Sequence, residues 1–244
     1  MLLCQGKTSI GEYFIMLKEF IIDNKNIQIY CNNFEEELPV VILNTYNDEG
    51  QDVFKECVNI QCKNFILVAI SNLDWNNDLS PWFAPKLNKD SSDCLGKADD
   101  YIIILINKII PIVEEYIKNT LKVNIKYFSI AGYSLAGLFS VYSGYKTNIF
   151  TKIVSASGSF WFPGFVDFVE KNNISPNVKD IYFSLGNKES KVKNKVFATV
   201  EENTIKIEEI YRSKGIKTIY EMNVGNHFQN TILRVAKGIK WIIK

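Results

Sequence analysis

The sequence predicts an α/β protein: a doubly wound, mostly parallel sheet of eight strands with antiparallel strands at its N-terminal side. Three observations point there. From Val40 onward the strand-like segments are short, continuous apolar runs, the pattern of strands covered on both faces. These runs alternate with longer helix-like segments, which implies βαβ units and parallel pairing. The first two runs carry polar interruptions such as Lys18-Glu19, which suit an antiparallel edge. No repeat, low-complexity linker or break in composition divides the 244 residues, so a single domain over 1–244 is expected.

In chain order, β-branched and aromatic runs place strands over residues 12–22, 26–31, 40–45, 65–70, 127–131, 152–155, 180–185 and 217–222. Helices are expected over 48–59, 94–119, 135–145, 191–213 and 228–243. The most apolar of these, 101–117, is interrupted by Asn107, Lys108, Pro111 and Glu114-Glu115, short of the roughly 18 uninterrupted apolar residues of a membrane span. It reads as a buried helix that Pro111 kinks or divides.

Composition narrows the function. Apolar residues make up 47% and charged ones 23%, with 28 basic against 27 acidic side chains and a net charge of +1. That balance argues against a nucleic-acid partner. Lysines 191, 193 and 195, followed by Glu201 and Glu202, read as solvated helix faces. Cys4, Cys31, Cys57, Cys62 and Cys94 form no paired motif, which fits a reducing cytoplasm better than a disulfide framework. With one histidine and scattered thiols, no metal site is expected. The first residues, Met1 to Lys7, turn polar too quickly for a signal peptide, so a cytoplasmic location without membrane attachment is the expectation.

The chemistry gathers at a serine. Gly132-Tyr133-Ser134-Leu135-Ala136-Gly137 joins a buried strand to a helix, and small residues at 132, 136 and 137 allow a tight turn. Such a turn lifts the Ser134 hydroxyl above the sheet and aims the Leu135 amide, at a helix N-terminus, toward a developing oxyanion. The strict Gly-x-Ser-x-Gly spacing is not met, since Ala136 occupies its last position. A serine here could also simply cap the helix. A nucleophilic serine needs a base, and His227 is the one histidine of the chain. It lies in Val224-Gly225-Asn226-His227-Phe228, after a strand, where open α/β sheets place their chemistry.

An imidazole base is normally oriented by a carboxylate. Glu189, after the strand at 180–185, completes the chain order serine, acid, histidine of the α/β-hydrolases. A glutamate that opens a helix is also favoured by the helix dipole. Asp180 sits at the wrong strand end, Glu221 inside a strand, and Asp167 before the relevant one; a Ser-His dyad without an acid is the alternative. A second oxyanion amide is expected from the loop Asn44-Thr45-Tyr46-Asn47-Asp48, with Tyr46 as the choice. Trp75, Trp82, Trp161 and Phe162 follow the carboxyl ends of strands and could wall an apolar pocket, or pack in the core.

These motifs together resemble an esterase family of the α/β-hydrolases that includes the esterase D-like enzymes and the enterobactin (siderophore) esterases. The resemblance runs from about Pro39 to the C-terminus. It rests on Asp74-Trp75 with Ser80-Pro81-Trp82, the Ser134 motif, Ser155-Ala156-Ser157-Gly158-Ser159-Phe160-Trp161, Gly186-Asn187-Lys188-Glu189 and Gly225-Asn226-His227-Phe228. It implies the α/β-hydrolase fold and cofactor-free hydrolysis of a small-molecule carboxylic ester by Ser134 with His227. Members act on siderophore trilactones, S-formylglutathione, feruloyl esters and acyl sugars. The lack of a basic cluster beside the motifs gives little support to an anionic siderophore. Acyl transfer, peptide hydrolysis and ligand binding without turnover are the rival readings.

Overall fold

The computed structural model describes residues 5–7, 13–87 and 92–244; the expected strand start at Glu12, and Cys4, lie outside the described residues. One nine-stranded sheet organises these residues. Its strands are β1 (Gln5–Lys7), β2 (Tyr13–Ile22), β3 (Lys25–Cys31), β4 (Glu37–Asn44), β5 (Ile66–Ser71), β8 (Asn124–Tyr133), β9 (Phe150–Ala156), β10 (Asp180–Gly186) and β11 (Lys217–Asn223). Two-residue strands β6 (Phe83–Ala84) and β7 (Cys94–Leu95) pair as a separate ribbon. The spatial order is β1-β2-β3-β5-β4-β8-β9-β10-β11. The pairs β1–β2, β2–β3 and β3–β5 are antiparallel, and every pair from β5 to β11 is parallel.

All eight expected strands are present, with β1 added at the edge. The continuous apolar runs have the predicted cause. β5 is buried along its whole length and β4 from its second residue on. Alternate residues of each strand feed opposite faces. Val40, Ile42, Val68 and Ile70 pack toward Ile109, Val113 and Phe139 on one face, whereas Val41, Leu43, Leu67 and Ala69 meet Val53, Phe54, Val235 and Ile239 on the other.

The helices depart from expectation where local chemistry intervenes. The expected helix 94–119 starts at Ala98, because Cys94–Leu95 is drawn into the ribbon with Phe83–Ala84. Pro111 does not divide this helical run, which continues to Leu121. Instead the turn before it widens: the Ile110 amide donates to the Leu105 carbonyl, five residues back, and the wider turn absorbs the missing proline donor. The expected helix 191–213 becomes Lys195–Ala198 and Val200–Ser213, the first capped by the Asn194 side chain, which accepts from the Val196 amide at 2.9 Å. The last helix runs Thr231–Ile242, after Asn230 in a left-handed conformation (φ 56°). Phe165–Lys171 is a helix that the sequence did not announce, since seven residues show too little periodicity.

This topology sets the position of the site. The chain leaves β4 toward β5 in one direction, then crosses back to β8 and winds the other way. A crevice opens where the direction reverses, at the carboxyl ends of β4 and β8. Asn44 and Gly132 are cross-strand partners there, one residue or two before the loops that concern function.

The helix Leu135–Lys146 is buried almost all round, with Phe139 fully enclosed and its ring 5.1 Å from that of Tyr101. Truncating Phe139 to alanine leaves a cavity the sheet cannot close. Phe139→Ala should lose about 3–5 kcal/mol in urea unfolding with an unchanged denaturant slope; a loss under 1 kcal/mol would contradict this placement of the core.

Candidate active site

Ser134 occupies the turn between β8 and the helix Leu135–Lys146 with φ 59° and ψ −122°. A non-glycine residue in this region is strained and persists only when its surroundings hold it. Here the Ser134 amide donates to the Ala156 carbonyl at 3.1 Å, and the Ser134 carbonyl accepts from the amides of Gly137, Leu138 and Ser159 at 3.0–3.1 Å. Gly132 is required, because a Cβ would lie 2.3 Å from the Ala136 carbonyl oxygen. Alanine at 136, in place of the strict glycine, is accommodated fully buried.

The three residues predicted from chain order come together. His227 Nε2 lies 3.0 Å from Ser134 Oγ, and His227 Nδ1 lies 2.6 Å from Glu189 Oε2. The imidazole is partly exposed at 29%, while the Glu189 side chain is 3% exposed. Held this way, a neutral imidazole can donate from Nδ1 to the carboxylate and accept the Ser134 hydroxyl proton at Nε2. Ser159 adds a hydroxyl 3.3 Å from Ser134 Oγ.

Behind the carboxylate stands a residue that the sequence reading missed. Arg234, fully buried on the last helix, donates from Nη1 to Glu189 Oε1 at 2.7 Å, to Ser157 Oγ at 3.0 Å and to the Tyr133 hydroxyl at 3.0 Å. Its Nη2 donates to the Asn226 carbonyl at 3.0 Å, in the loop that carries His227. Glu189 Oε1 also accepts from the Gly186 amide at 2.7 Å and from Ser157 Oγ at 2.8 Å. The Tyr133 hydroxyl in turn donates to the His227 carbonyl at 2.6 Å. Burial pushes the Tyr133 phenol up, so it stays a donor. One guanidinium thus ties the acid, the histidine loop and the residue before the serine. A legible signal existed: Arg234 shares the buried stripe of its helix with Gly238 and Ile242, where a lone cation calls for an acid.

The packing around Glu189 leaves little slack. A Cβ on Gly186 would meet the Gly225 carbonyl at 2.5 Å, Arg234 Nη2 at 2.7 Å and Glu189 Oε1 at 2.9 Å. Burial opposes ionisation of Glu189, but the hydrogen bond and charge of His227, the Gly186 amide and the Ser157 hydroxyl outweigh it. The carboxyl is held below its ordinary value.

The remaining expected residues divide. The loop after β4 brings Tyr46 to the crevice, its ring edge-on to Trp75 at 5.1 Å. The Thr45 amide is committed to the Ile70 carbonyl at 2.9 Å and that of Asn47 to Glu49 Oε2 at 3.0 Å. The amides of Tyr46 and Leu135 have no acceptor among the described residues. Trp75 lines the crevice, and Trp161 and Phe162 line a smaller recess on the other side of Ser134. Trp82 does not reach either. Its Nε1 donates to the Pro163 carbonyl at 2.9 Å, and its ring packs among Tyr142, Phe162, Phe165 and Phe168, so it is a packing residue. Among the described residues, no group of three or more His, Cys, Asp or Glu side chains is placed to hold a metal ion, and no helix is long and apolar enough to cross a membrane.

Solved structures with this architecture include the siderophore hydrolase EstB from Aspergillus nidulans, at a TM-score of 0.70 and 15% identity, covering 99% of this chain and 94% of that one. An IroE-like serine hydrolase from Shewanella oneidensis matches at 0.70 and 16% identity over 93% and 79% of the two chains. The fold is that of an α/β-hydrolase. The BES protein from Bacillus cereus shares it, with a TM-score of 0.65, 15% identity and coverage of 100% and 98%. In sequence, the chain is 23% identical over 179 residues to the uncharacterized protein YbbA of Bacillus subtilis, 70% of this chain and 71% of that one. No protein-family model matches the chain.

Two outcomes test the buried anchor. Arg234→Met keeps an unbranched stem but removes the guanidinium and strands the Glu189 charge, which should cost about 3–5 kcal/mol of stability in urea unfolding; a loss under 1 kcal/mol would deny the pair its role. A carboxyl with a depressed folded-state pKa stabilises the fold above its unfolded-state pKa and ceases to do so as pH falls through the folded value. The stability advantage of wild type over Glu189→Gln should therefore be full at neutral pH and shrink on acidification below the ordinary carboxylate range. A gap independent of pH would contradict the lowered value.

Proposed function

We propose that this protein is a serine hydrolase of small-molecule carboxylic esters, acting through Ser134, His227 and Glu189. The observation that carries the reading is the imidazole of His227 between Ser134 Oγ, at 3.0 Å, and Glu189 Oε2, at 2.6 Å. Solved structures of the same fold that are named as siderophore hydrolases and an enterobactin esterase from Shigella flexneri add support.

In the proposed reaction Ser134 Oγ attacks the ester carbonyl carbon as His227 Nε2 takes the hydroxyl proton. The carbonyl electron pair moves onto oxygen, where the amides of Leu135 and Tyr46 receive it. Glu189 holds the imidazole in the tautomer that leaves Nε2 free and stabilises the imidazolium that forms. Collapse breaks the bond to the leaving oxygen, which takes the proton from Nε2. Water, deprotonated by the same nitrogen, then attacks the acyl carbon; the bond to Ser134 Oγ breaks as that oxygen takes the proton back from Nε2, and the acid is released. No step needs a cofactor. The scattered cysteines support a reducing, cytoplasmic setting.

The crevice favours a neutral ester over an anionic siderophore. Its lining beside Ser134 and His227 is mostly apolar, from Leu43, Val53, Phe228, Ile232 and Val235, and its carboxylate is Glu49, with no lysine or arginine among the residues that line it. Acyl transfer would use the same site with an alcohol in place of water, and products formed with added alcohols separate the two.

Intact-mass spectrometry after exposure to a fluorophosphonate tests the proposal. One adduct is expected on wild type and none on Ser134→Ala. His227→Ala should label more slowly by roughly a hundred- to ten-thousand-fold. An unlabelled wild type would favour a binding protein that has the fold without the reaction.

A further inference from the structure

Two cavities meet at Ser134, and they are unequal. The larger, about 340 Å³, contains His227 together with Tyr46, Phe228, Ile232 and Val235. The smaller, about 190 Å³, contains Leu135, Ser159, Trp161, Phe162 and Phe197 together with Lys86, so it carries a cation, and does not include His227. Ser134 and Trp75 line both, so the serine sits at the junction and the Trp75 ring forms part of the wall on each side.

Resting on the hydrolase reading above, we propose that the cavities sort the two halves of the ester: the leaving alcohol occupies the larger one and the acyl group the smaller. The argument is one of proton delivery. The oxygen that leaves must take its proton from His227 Nε2, so the alcohol has to extend on the histidine side. The oxyanion is drawn to the Leu135 amide, at the N-terminus of a twelve-residue helix. The substituent left on the carbonyl carbon then points into the recess beside Leu135 and Ser159.

Size and lining define what each half can be. A cavity of about 150 Å³ accepts one benzene ring, so the smaller recess, at about 190 Å³ and with Lys86 beside its aromatic rings, suits one ring or a short branched chain. Aromatic rings contribute to its walls. Phe162 is 2% exposed, and the rings of Trp161 and Phe197 meet edge to face at 4.7 Å. The larger cavity holds nearly twice the volume, is lined mainly by apolar groups, and has the Glu49 carboxylate without a lysine or arginine to balance it. The substrate class is therefore an ester of a compact, ring-sized acid with a larger alcohol that is neutral or cationic.

The test uses two ester series on the purified protein, with Ser134 labelling by fluorophosphonate as a parallel readout. In one series the alcohol is fixed and the acyl group grows from acetyl through benzoyl to naphthoyl. In the other, benzoyl is fixed and the alcohol grows from methyl to naphthylmethyl. Wild type should fall at least tenfold in kcat/KM between benzoyl and naphthoyl and tolerate the growing alcohol. Phe197→Ala, which opens the smaller recess, should recover naphthoyl turnover by tenfold or more and leave the alcohol profile unchanged. Ile232→Trp, which fills the larger cavity, should do the converse, penalising large alcohols without altering the acyl profile. If Ser134 labels normally but the two variants shift the wrong series, or neither, the assignment of the cavities is overturned while the hydrolase stands. If Ser134 does not label, both fall.

Discussion

A fully buried ion pair, Arg234 with Glu189, is the constraint around which the site is arranged. Removing a carboxylate and a guanidinium from water costs several kcal/mol each, and only close geometry with further hydrogen bonds offsets that cost. Here the offset is complete for the carboxylate. Each oxygen of Glu189 is engaged, one by His227 and the other by Gly186, Ser157 and Arg234. The charge that orients the imidazole cannot drift, because its partner is fixed on a helix packed against the sheet. The same guanidinium holds the Asn226 carbonyl, so the histidine loop and the acid loop are registered to one atom group rather than to each other alone.

That registration matters because the parts come from distant strands. Ser134 follows β8, Glu189 follows β10 and His227 follows β11, at the sheet edge. The loop after β11 must reach back across two strands to meet the serine. Asn187 laces the two outer loops, donating its amide to the Asn223 carbonyl at 2.8 Å and accepting the Gly225 amide at 3.0 Å. Tyr133 closes the circuit by donating to the His227 carbonyl. The strained backbone of Ser134 is held by the same neighbourhood, through β9 and the segment Ser157–Ser159.

The sequence disclosed the parts whose signal is local. Continuous apolar runs announced β4 and β5, since both faces of those strands had to be covered. Small residues around Ser134 announced the turn, and a lone histidine left no choice of base. What stayed hidden depends on distant contacts. The aromatic residues looked alike in sequence, yet Trp75 faces the crevice and Trp82 packs against Phe162, Phe165 and Phe168, because only the placement of the helix Phe165–Lys171 decides which ring is enclosed. Arg234 carries no motif that singles it out, and only its place on the apolar stripe of its helix marks it. Pro111 pointed to a break, and a wider helical turn absorbed it instead, an adjustment no local pattern records.

The central claim is that a buried acid fixes one imidazole in one tautomer facing one serine. A chain with one histidine makes this directly readable. Nitrogen-15 NMR of protein labelled at histidine, at a pH where the ring is neutral, reports which ring nitrogen carries the proton. The account predicts a single Nδ1–H tautomer, with a strongly deshielded, slowly exchanging proton that disappears in Glu189→Gln. An Nε2–H tautomer, or the averaged pair of signals of a free imidazole, would contradict it.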